Sequence, residues 1–180
     1  MTAPPWRTMA RRNDTGKQFE SETRKSLKHT NCFWFRILDT NDVARFLPIK
    51  AVAEKQPGDF LALYDGMMVL IECKTSKRET SFPLYYRETR SIPEHQVEAA
   101  KLVEQNGGRA FFLIRQDKHR DKQVYAMTWR QVNNMYKENK KSIKWENVRQ
   151  RAIPVARLKS PLRWDLEKLF KRTKKALNRK

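Results

Sequence analysis

Two acids and a lysine, Asp59, Glu72 and Lys74, are the residues of this chain whose types and spacing could perform chemistry. The acids are separated by apolar runs that flank Asp65-Gly66, a dipeptide typical of a two-residue type I′ hairpin turn. Counting outward from that turn places Asp59 opposite Glu72, with Cβ atoms about 5 Å apart. Side chains alternate along a strand, so Lys74 projects on the same face as Glu72. The hairpin register alone predicts a cluster of two carboxylates and one amine.

Such a cluster suits the hydrolysis of a phosphodiester with a divalent cation. Neighbouring carboxylates repel one another unless a proton or a cation lies between them, and hard oxygen ligands favour Mg²⁺ or Mn²⁺. The cation could bind the scissile phosphate and lower the pKa of a water, while the Lys74 ammonium offsets charge on the phosphorane. The alternative interpretation is a surface hairpin in which Lys74 pairs with one acid, because these residue types are common at strand ends.

Two predicted helices carry polar residues near their starts that could join this cluster. The first helix covers residues 15–28 and carries Glu20 beside an apolar stripe. The second covers residues 93–105, follows a capping-box spacing, ends at a pair of glycines and carries Gln96. Taken separately, Glu20 is an ordinary first-turn acid and Gln96 an ordinary surface amide. Their value lies in their combination with the hairpin.

The order of these motifs resembles a known family. Its pattern, that of the PD-(D/E)xK nucleases, is matched by Gly16-x-x-Phe19-Glu20, Gly58-Asp59, Glu72-x-Lys74 and Gln96. The finer likeness is to the RecU-type Holliday junction resolvases, with the compactness of a phage version, and it is carried by the segments 80–84, 94–96, 107–115, 141–143 and 161–166. Two departures concern surfaces that touch DNA in the family. Residues 85–93 are longer than its pattern, and residues 39–56, where it has a protruding stalk, are shorter.

The resemblance implies a fold and a set of site residues. The fold would be α/β, a restriction-endonuclease-like nuclease core with a mixed β-sheet flanked by helices, a basic N-terminal arm and a C-terminal tail. Mg²⁺ would be the cofactor, with Mn²⁺ as a substitute, and its ligands would be Asp59, Glu72, the backbone carbonyl of Cys73 and, in support, Glu20. Lys74 would orient the attacking water or stabilise the transition state, and Gln96 would help to position it.

By the same resemblance, the chain would be a homodimeric, structure-selective endonuclease that resolves four-way DNA junctions by paired symmetric nicks. A four-way junction has two symmetry-related scissile phosphates, which a C2 dimer would meet with two identical sites. Two alternatives stay open: the same chemistry on flaps, forks or nicked duplex, and a non-catalytic basic DNA-binding accessory protein. The residues expected to contact DNA are Arg7, Arg11, Arg12, Arg45, Lys50, Lys55, Ser81, Phe82, Arg87, Arg90, Lys171, Arg172, Lys174 and Lys175.

The charge of the chain supports a polyanionic partner. Its 39 Lys and Arg residues against 20 Asp and Glu give a formal net charge of +19. Nucleic acid fits this excess better than a membrane surface, because no basic helix with a broad apolar face is evident. No stretch has the features of a signal peptide or a membrane span. We therefore expect an intracellular, cytoplasmic protein, in the bacterial nucleoid or in a phage-infected host.

Cysteine and histidine usage argues against disulfides and zinc. Cys32 and Cys73 lie in apolar, strand-like runs without paired spacing, so we expect reduced and buried thiols. For Cys73, the alternation of the strand predicts a thiol that points away from the acids into the core. The three histidines are isolated from one another, which does not favour a zinc site.

The organisation of the chain predicts one domain with mobile ends: an arm over residues 1–14, a nuclease domain over 15–166 with a possible short stalk at 43–56, and a basic tail over 167–180. Strands are expected at 32–38, with Trp34 in the core, and at 109–114 and 123–129 around a charged turn. Helices at 130–138 and 142–151 and a short strand at 153–158 follow. The tail has two interpretations, a helix with a weak apolar stripe or a solvated segment that orders on DNA.

Overall fold

The computed structural model describes residues 15–38, 55–118, 121–138, 140–158 and 163–177. Its helices are α1 (Thr15–Lys28), α2 (Glu94–Gln105), α3 (Trp129–Lys137), α4 (Trp145–Arg151) and α5 (Leu166–Leu177). Its strands are β1 (Phe33–Arg36), β2 (Phe60–Tyr64), β3 (Met67–Ser76), β4 (Ser81–Pro83), β5 (Tyr85–Tyr86), β6 (Thr89–Arg90), β7 (Arg109–Lys118), β8 (Asp121–Met127), β9 (Ser142–Lys144), β10 (Ile153–Val155), β11 (Arg157–Leu158) and β12 (Arg163–Trp164).

One mixed sheet of six strands, in the order β1-β2-β3-β7-β8-β10, forms the centre of the fold. The β3–β7 pair is parallel and the other pairs are antiparallel. Helices α1 and α5 contribute to the hydrophobic core on one side of the sheet, and α2, α3 and α4 contribute to the core on the other. The predicted α/β class, with a mixed sheet flanked by helices, is confirmed.

The hairpin of β2 and β3 has the predicted turn and register. Asp65 and Gly66 have φ values of 47° and 76°, both positive as a type I′ turn requires. The ladder runs from the pair of Tyr64 with Met67 to the pair of Phe60 with Ile71. Because this turn is specified by two adjacent residues, local sequence was sufficient to set the pairing.

The expected charged turn over residues 115–122 is wrong. Strands β7 and β8 continue through most of it, and Arg115 has no exposed surface. Its guanidinium lies 2.8 Å from the Glu22 carboxylate and 2.9 Å from that of Asp117. A buried arginine is tolerated only when its charge is paired, and here acids from α1 and from the same strand provide the pairing.

Residues 166–177 form a helix, which was one of the two interpretations of the C-terminal tail. Leu166, Leu169 and Phe170 of α5 are buried in the core beside α1. The Phe170 ring contacts Tyr64 edge-on, with ring centroids 5.5 Å apart. The packed part of the chain therefore continues past residue 166, where the domain was expected to end, because the apolar stripe of α5 has a sheet face to cover.

Three smaller differences concern local elements. The helix expected over residues 142–151 begins only at Trp145, because Ser142–Lys144 pair as β9 with β4. The strand expected over 153–158 is divided into β10 and β11. Trp34, expected in the core, is partly buried and packs edge-on against Phe60. Among the helices of the described ranges, none has the length and apolar character needed to span a membrane.

Candidate active site

Asp59 lies where the hairpin ladder ends. Its N–H donates to the Ile71 carbonyl at 2.9 Å, and its carboxylate accepts from the Cys73 N–H at 2.7 Å. A Cβ at Gly58 would come within 3.0 Å of the Ile71 oxygen, so glycine at this position permits the close approach of the two backbones. The Asp59 carboxylate is thereby fixed against β3, between the backbone positions of Glu72 and Lys74.

Glu72 projects from β3 and is held by a cation and an amide. Its side chain is 5% exposed, and its Oε1 lies 2.6 Å from the Lys74 ammonium. Gln96, buried in the first turn of α2, donates a side-chain hydrogen bond to the same carboxylate. Glu72 Oε2 and Gln96 Oε1 are both buried without a hydrogen-bond partner. The structure thus brings together Asp59, Glu72 and Lys74, as predicted from their spacing, and adds Gln96, which the family resemblance implied.

Burial and neighbouring negative charge oppose the ionisation of both carboxyl groups. Burial and then the Glu72 charge raise the pKa of Asp59 to about 7. Burial also raises the pKa of Glu72, against the lowering effects of Lys74 and Gln96. Neighbouring acids with raised pKa values are characteristic of sites in which a proton or a cation completes the charge balance.

Glu20 borders this cluster but faces another partner. Its Oε2 lies 3.0 Å from Nη2 of Arg36, the last residue of β1. The Glu20 charge contributes to raising the pKa of Glu72, so the two groups are close. The Arg36 charge in turn lowers the pKa of Asp59. Arg36 is a site residue that the sequence reasoning missed, although an arginine that ends an aromatic strand was a usable signal.

The side chains of the site fit a magnesium ion only if other ligands, such as waters and phosphate oxygens, complete its coordination. In the ranges the structure covers, no three His, Cys, Asp or Glu side chains converge as a group that could hold a metal. Asp59 and Glu72 provide two carboxylates, and the partnerless Glu72 Oε2 is an available donor. Mg²⁺ binds in proteins through one or two carboxylates together with waters and substrate phosphates. The site therefore fits the ion, with Glu20 outside the immediate carboxylate pair.

The Cys73 side chain lies on the opposite face from the acids, as the alternation predicted. It packs against the core that includes α1, and its Sγ lies 3.4 Å from the Thr23 hydroxyl. Burial raises the pKa of this thiol well above its ordinary value. Cys32 and Cys73 are both free, and each is partly rather than fully buried.

The residues expected to contact DNA have different surroundings. Lys55, Arg87, Lys171, Arg172 and Lys175 are exposed, and Ser81 is half-buried. Burial, and then the charges of Lys55 and Lys74, lower the pKa of His95, so Lys55 lies near the candidate site. Positions 7, 11, 12, 45 and 50, with the arm and most of the expected stalk, lie outside the described residues.

Two of the residues expected to contact DNA, Arg90 and Lys174, contact other residues of the protein, and the expectation for Phe82 is wrong. The Arg90 guanidinium lies 4.9 Å above the Tyr136 ring, and Lys174 pairs with the Asp65 carboxylate. Phe82 is 1% exposed and packs edge-on against Trp145. The Phe82 ring is part of the core, so it is not available to DNA. The sequence predicted a loop here, but the apolar side chain packs against Trp145 of α4.

Sequence and structure comparisons relate this chain to known proteins. A family model described as "RecU: Recombination protein U" matches residues 13–170. A Holliday junction resolvase RecU of Staphylococcus carnosus is 38% identical over 101 residues, which are 54% of this chain and 45% of the relative. The Holliday junction resolvase RecU of Staphylococcus aureus is 35% identical over 101 residues, again 54% of this chain and 45% of the relative. The chain thus spans 45% of the length of the curated relatives it matches.

A solved structure of Archaeoglobus fulgidus Hjc, a Holliday junction resolvase, is similar with a TM-score of 0.47 and 18% identity, covering 77% of this chain and 95% of that one. The family model is the broader match, because it covers nearly the whole described chain. The chain belongs to the RecU family.

Proposed function

We propose that this protein is a Mg²⁺-dependent, structure-selective endonuclease that resolves four-way DNA junctions by paired symmetric nicks. The observation that carries the proposal is the pair of half-buried Asp59 and buried Glu72, with Lys74 at 2.6 Å from Glu72, in a chain of the RecU family. The curated relatives named as Holliday junction resolvases support the choice of substrate.

Each residue of the cluster has a distinct role in this proposal. Asp59 and Glu72, with the Cys73 carbonyl, would hold the cation, which supplies charge neutralisation at the phosphate and activation of water. Lys74 would donate hydrogen bonds to the phosphoryl oxygens, on which negative charge develops in the transition state. Gln96 keeps the Glu72 carboxylate oriented through its amide. The Cys73 N–H fixes the Asp59 carboxylate, so the ligands need little rearrangement.

The partner in this proposal is branched DNA bound mainly through its phosphates. The formal net charge of +19 supports strong, salt-dependent binding with modest dependence on base sequence. The exposed cations Lys55, Arg87, Arg172 and Lys175 are candidates for these contacts. The cytoplasm, where such DNA is found, is the proposed location.

The homodimer belongs to the same proposal, and an exposed apolar patch supports it. Phe33 of β1 is 69% exposed and lies opposite Leu63 of β2, which is 49% exposed; Phe35 is 47% exposed. The patch follows an edge strand of the main sheet. Exposed apolar groups of this size at a sheet edge are typical of interaction surfaces. A second copy of the chain is the occupant that the two-fold symmetry of a junction requires.

Flap, fork or nicked-duplex cleavage is the alternative enzyme function, because the carboxylate pair would act on any of these phosphodiesters. A non-catalytic DNA-binding role is a weaker alternative. It leaves unexplained why Asp59 and Glu72 are held together, away from most of the solvent, at the cost of raised pKa values.

One assay separates the three functions. Synthetic four-way junctions, flaps, forks and nicked duplexes of equal length are labelled on each strand in turn and incubated with Mg²⁺, or with EDTA as the control. The proposal expects symmetric nicks in two opposing strands of the junction, with little cleavage of the other substrates. Preferred cleavage of another branched substrate would establish the alternative enzyme function. Binding without metal-dependent cleavage of any substrate would establish the accessory role.

A further inference from the structure

A cavity of about 300 Å³ opens beside Glu20, on the surface between α1 and β1. The residues that line it are Lys17, Glu20, Ser21, Arg24, Arg36 and Phe60. None of the cations among them belongs to the predicted catalytic or DNA-binding sets. The cavity is distinct from the carboxylate pair but adjoins it through Glu20.

The sequence of α1 explains why these side chains meet. Lys17, Ser21 and Arg24 are spaced at i, i+4 and i+7, which places them on one face of the helix. Phe19 and Leu27 anchor the helix in the core, so this stripe lies toward the surface. Lys17 and Arg24 are exposed. The helix therefore presents two cations and a hydroxyl to the cavity.

Arg36 joins the cavity to the candidate active site. Its guanidinium lies 3.0 Å from Glu20, and the residue after it, Ile37, donates its N–H to the Asp59 carbonyl at 2.9 Å. Three cations and one carboxylate thus line the cavity. Two of these residues, Glu20 and Arg36, lie close enough to the candidate active site to influence its carboxyl groups. Such an excess of positive charge favours an anion.

We propose that this cavity binds a DNA phosphate next to the scissile phosphate on the strand that is cleaved. The proposal rests on the proposed function for the identity of the scissile strand. Arginine forks and lysine ammonium groups are the groups that proteins use for phosphate oxygens, and the Ser21 hydroxyl adds a neutral donor. The volume is at the lower end of small-ligand sites, which suits a sugar-phosphate unit rather than a lone ion. A phosphate held there fixes the direction in which the strand enters the site.

The test pairs single neutral phosphates with single protein charges. Junctions carrying one methylphosphonate at successive positions around the wild-type nick are bound in EDTA, and affinity is measured by fluorescence anisotropy for the wild-type, Lys17→Gln and Arg24→Gln proteins. We expect one position near the nick at which the methylphosphonate weakens wild-type binding about 10-fold, as for a hydrogen bond to a charged group. The same methylphosphonate should weaken DNA binding by the Arg24→Gln protein by less than about 2-fold, because that protein already lacks the contact between residue 24 and the phosphate.

Lys25→Gln is the matched control, since Lys25 is an exposed cation of the same helix that does not line the cavity. It should keep the full methylphosphonate effect. An equal effect in wild type and in both Arg24→Gln and Lys17→Gln, at every position, would overturn the subsite. Binding of inorganic phosphate that depends on Arg24, with no sensitive DNA position, would also overturn it, as a site for the free anion. Failure of the function itself is separate, because it would appear as an absence of wild-type cleavage.

Discussion

The guanidinium of Arg115 lies 2.8 Å from the carboxylate of Glu22, and both groups are buried between α1 and the central sheet. The same guanidinium donates to the Thr15 carbonyl at 3.0 Å and lies 4.7 Å from the centre of the Phe19 ring. These contacts fix the first half of α1 against β7. Since Glu20 is in that half, the buried pair also sets where Glu20 meets the candidate site.

We predict that Arg115→Met destabilises the fold by about 3–5 kcal/mol, because Asp117 would lose the guanidinium and Glu22 would keep only Lys122, at 3.5 Å. Urea denaturation measures the change. Lys101→Met removes an exposed pair with Glu98 and should cost less than about 1 kcal/mol. A loss below about 1 kcal/mol for Arg115→Met would show that water or other cations compensate the buried acids.

We predict that Asp59→Asn, Glu72→Gln and Lys74→Ala each reduce junction cleavage by about 1,000-fold or more, since cation binding or transition-state stabilisation is lost. Junction affinity in EDTA should change by less than about 3-fold, because phosphate contacts elsewhere provide the binding. Glu98→Gln, an exposed acid of α2, is the control and should cleave normally. Wild-type cleavage by Asp59→Asn would remove this cluster from consideration.

The pKa of Asp59 predicts how stability depends on pH in the absence of metal. A folded-state pKa of about 7, above the ordinary 3.8, means that the native state holds a proton that the unfolded state releases. The contribution of Asp59 to stability is therefore present below pH 3.8 and is lost as the pH rises toward 7. Asp59→Asn should accordingly gain stability relative to wild type as the pH rises through this window.

Urea denaturation of both proteins between pH 4 and pH 8, with EDTA and then with Mg²⁺, checks this prediction. Mg²⁺ should stabilise wild type more at pH 8 than at pH 5, because the cation replaces the proton between the carboxylates. A stability difference between the two proteins that stays constant with pH would mean that Asp59 ionises normally in the fold.

Helix α5 predicts two separable effects. Phe170→Ala should destabilise the fold by about 3–5 kcal/mol, because its ring is fully buried. Neutralising Lys168, Arg172 and Lys175, a stripe on its exposed face, should leave stability nearly unchanged. If these cations meet DNA, the slope of log affinity against log salt flattens by up to about 2.7, since each neutralised phosphate contributes about 0.9. Lys101→Gln, on α2, should leave the slope unchanged. The same slope in the triple variant would exclude this face from DNA binding.

The exposed patch on β1 predicts the oligomeric state. Phe33→Ser combined with Leu63→Ser should convert a dimer into a monomer at micromolar concentration, as measured by light scattering, because a facing apolar pair is removed. Leu102→Ser is the matched control, since Leu102 is 58% exposed on α2, away from β1. A wild-type protein that remains monomeric with and without a junction would contradict the homodimer.

Local sequence determined the parts of this protein that depend on neighbouring residues. The turn at Asp65-Gly66 set the β2–β3 register, and with it the cluster of Asp59, Glu72 and Lys74. The bounds of α1 and α2 followed from apolar periodicity and stop signals, which placed Gln96. These features were predictable because turn geometry and helix periodicity are short-range properties.

Only the tertiary structure decided the surroundings of those residues whose contacts come from distant parts of the sequence. Arg115 and Glu22 are 93 positions apart, so nothing near Arg115 in the sequence distinguishes a buried arginine from one in a charged turn. The same holds for Arg36, which reaches Glu20 from another element, and for Phe82, which is covered by Trp145. A charge becomes tolerable in the interior only when packing brings its counter-charge to it, and that proximity exists only in the folded chain.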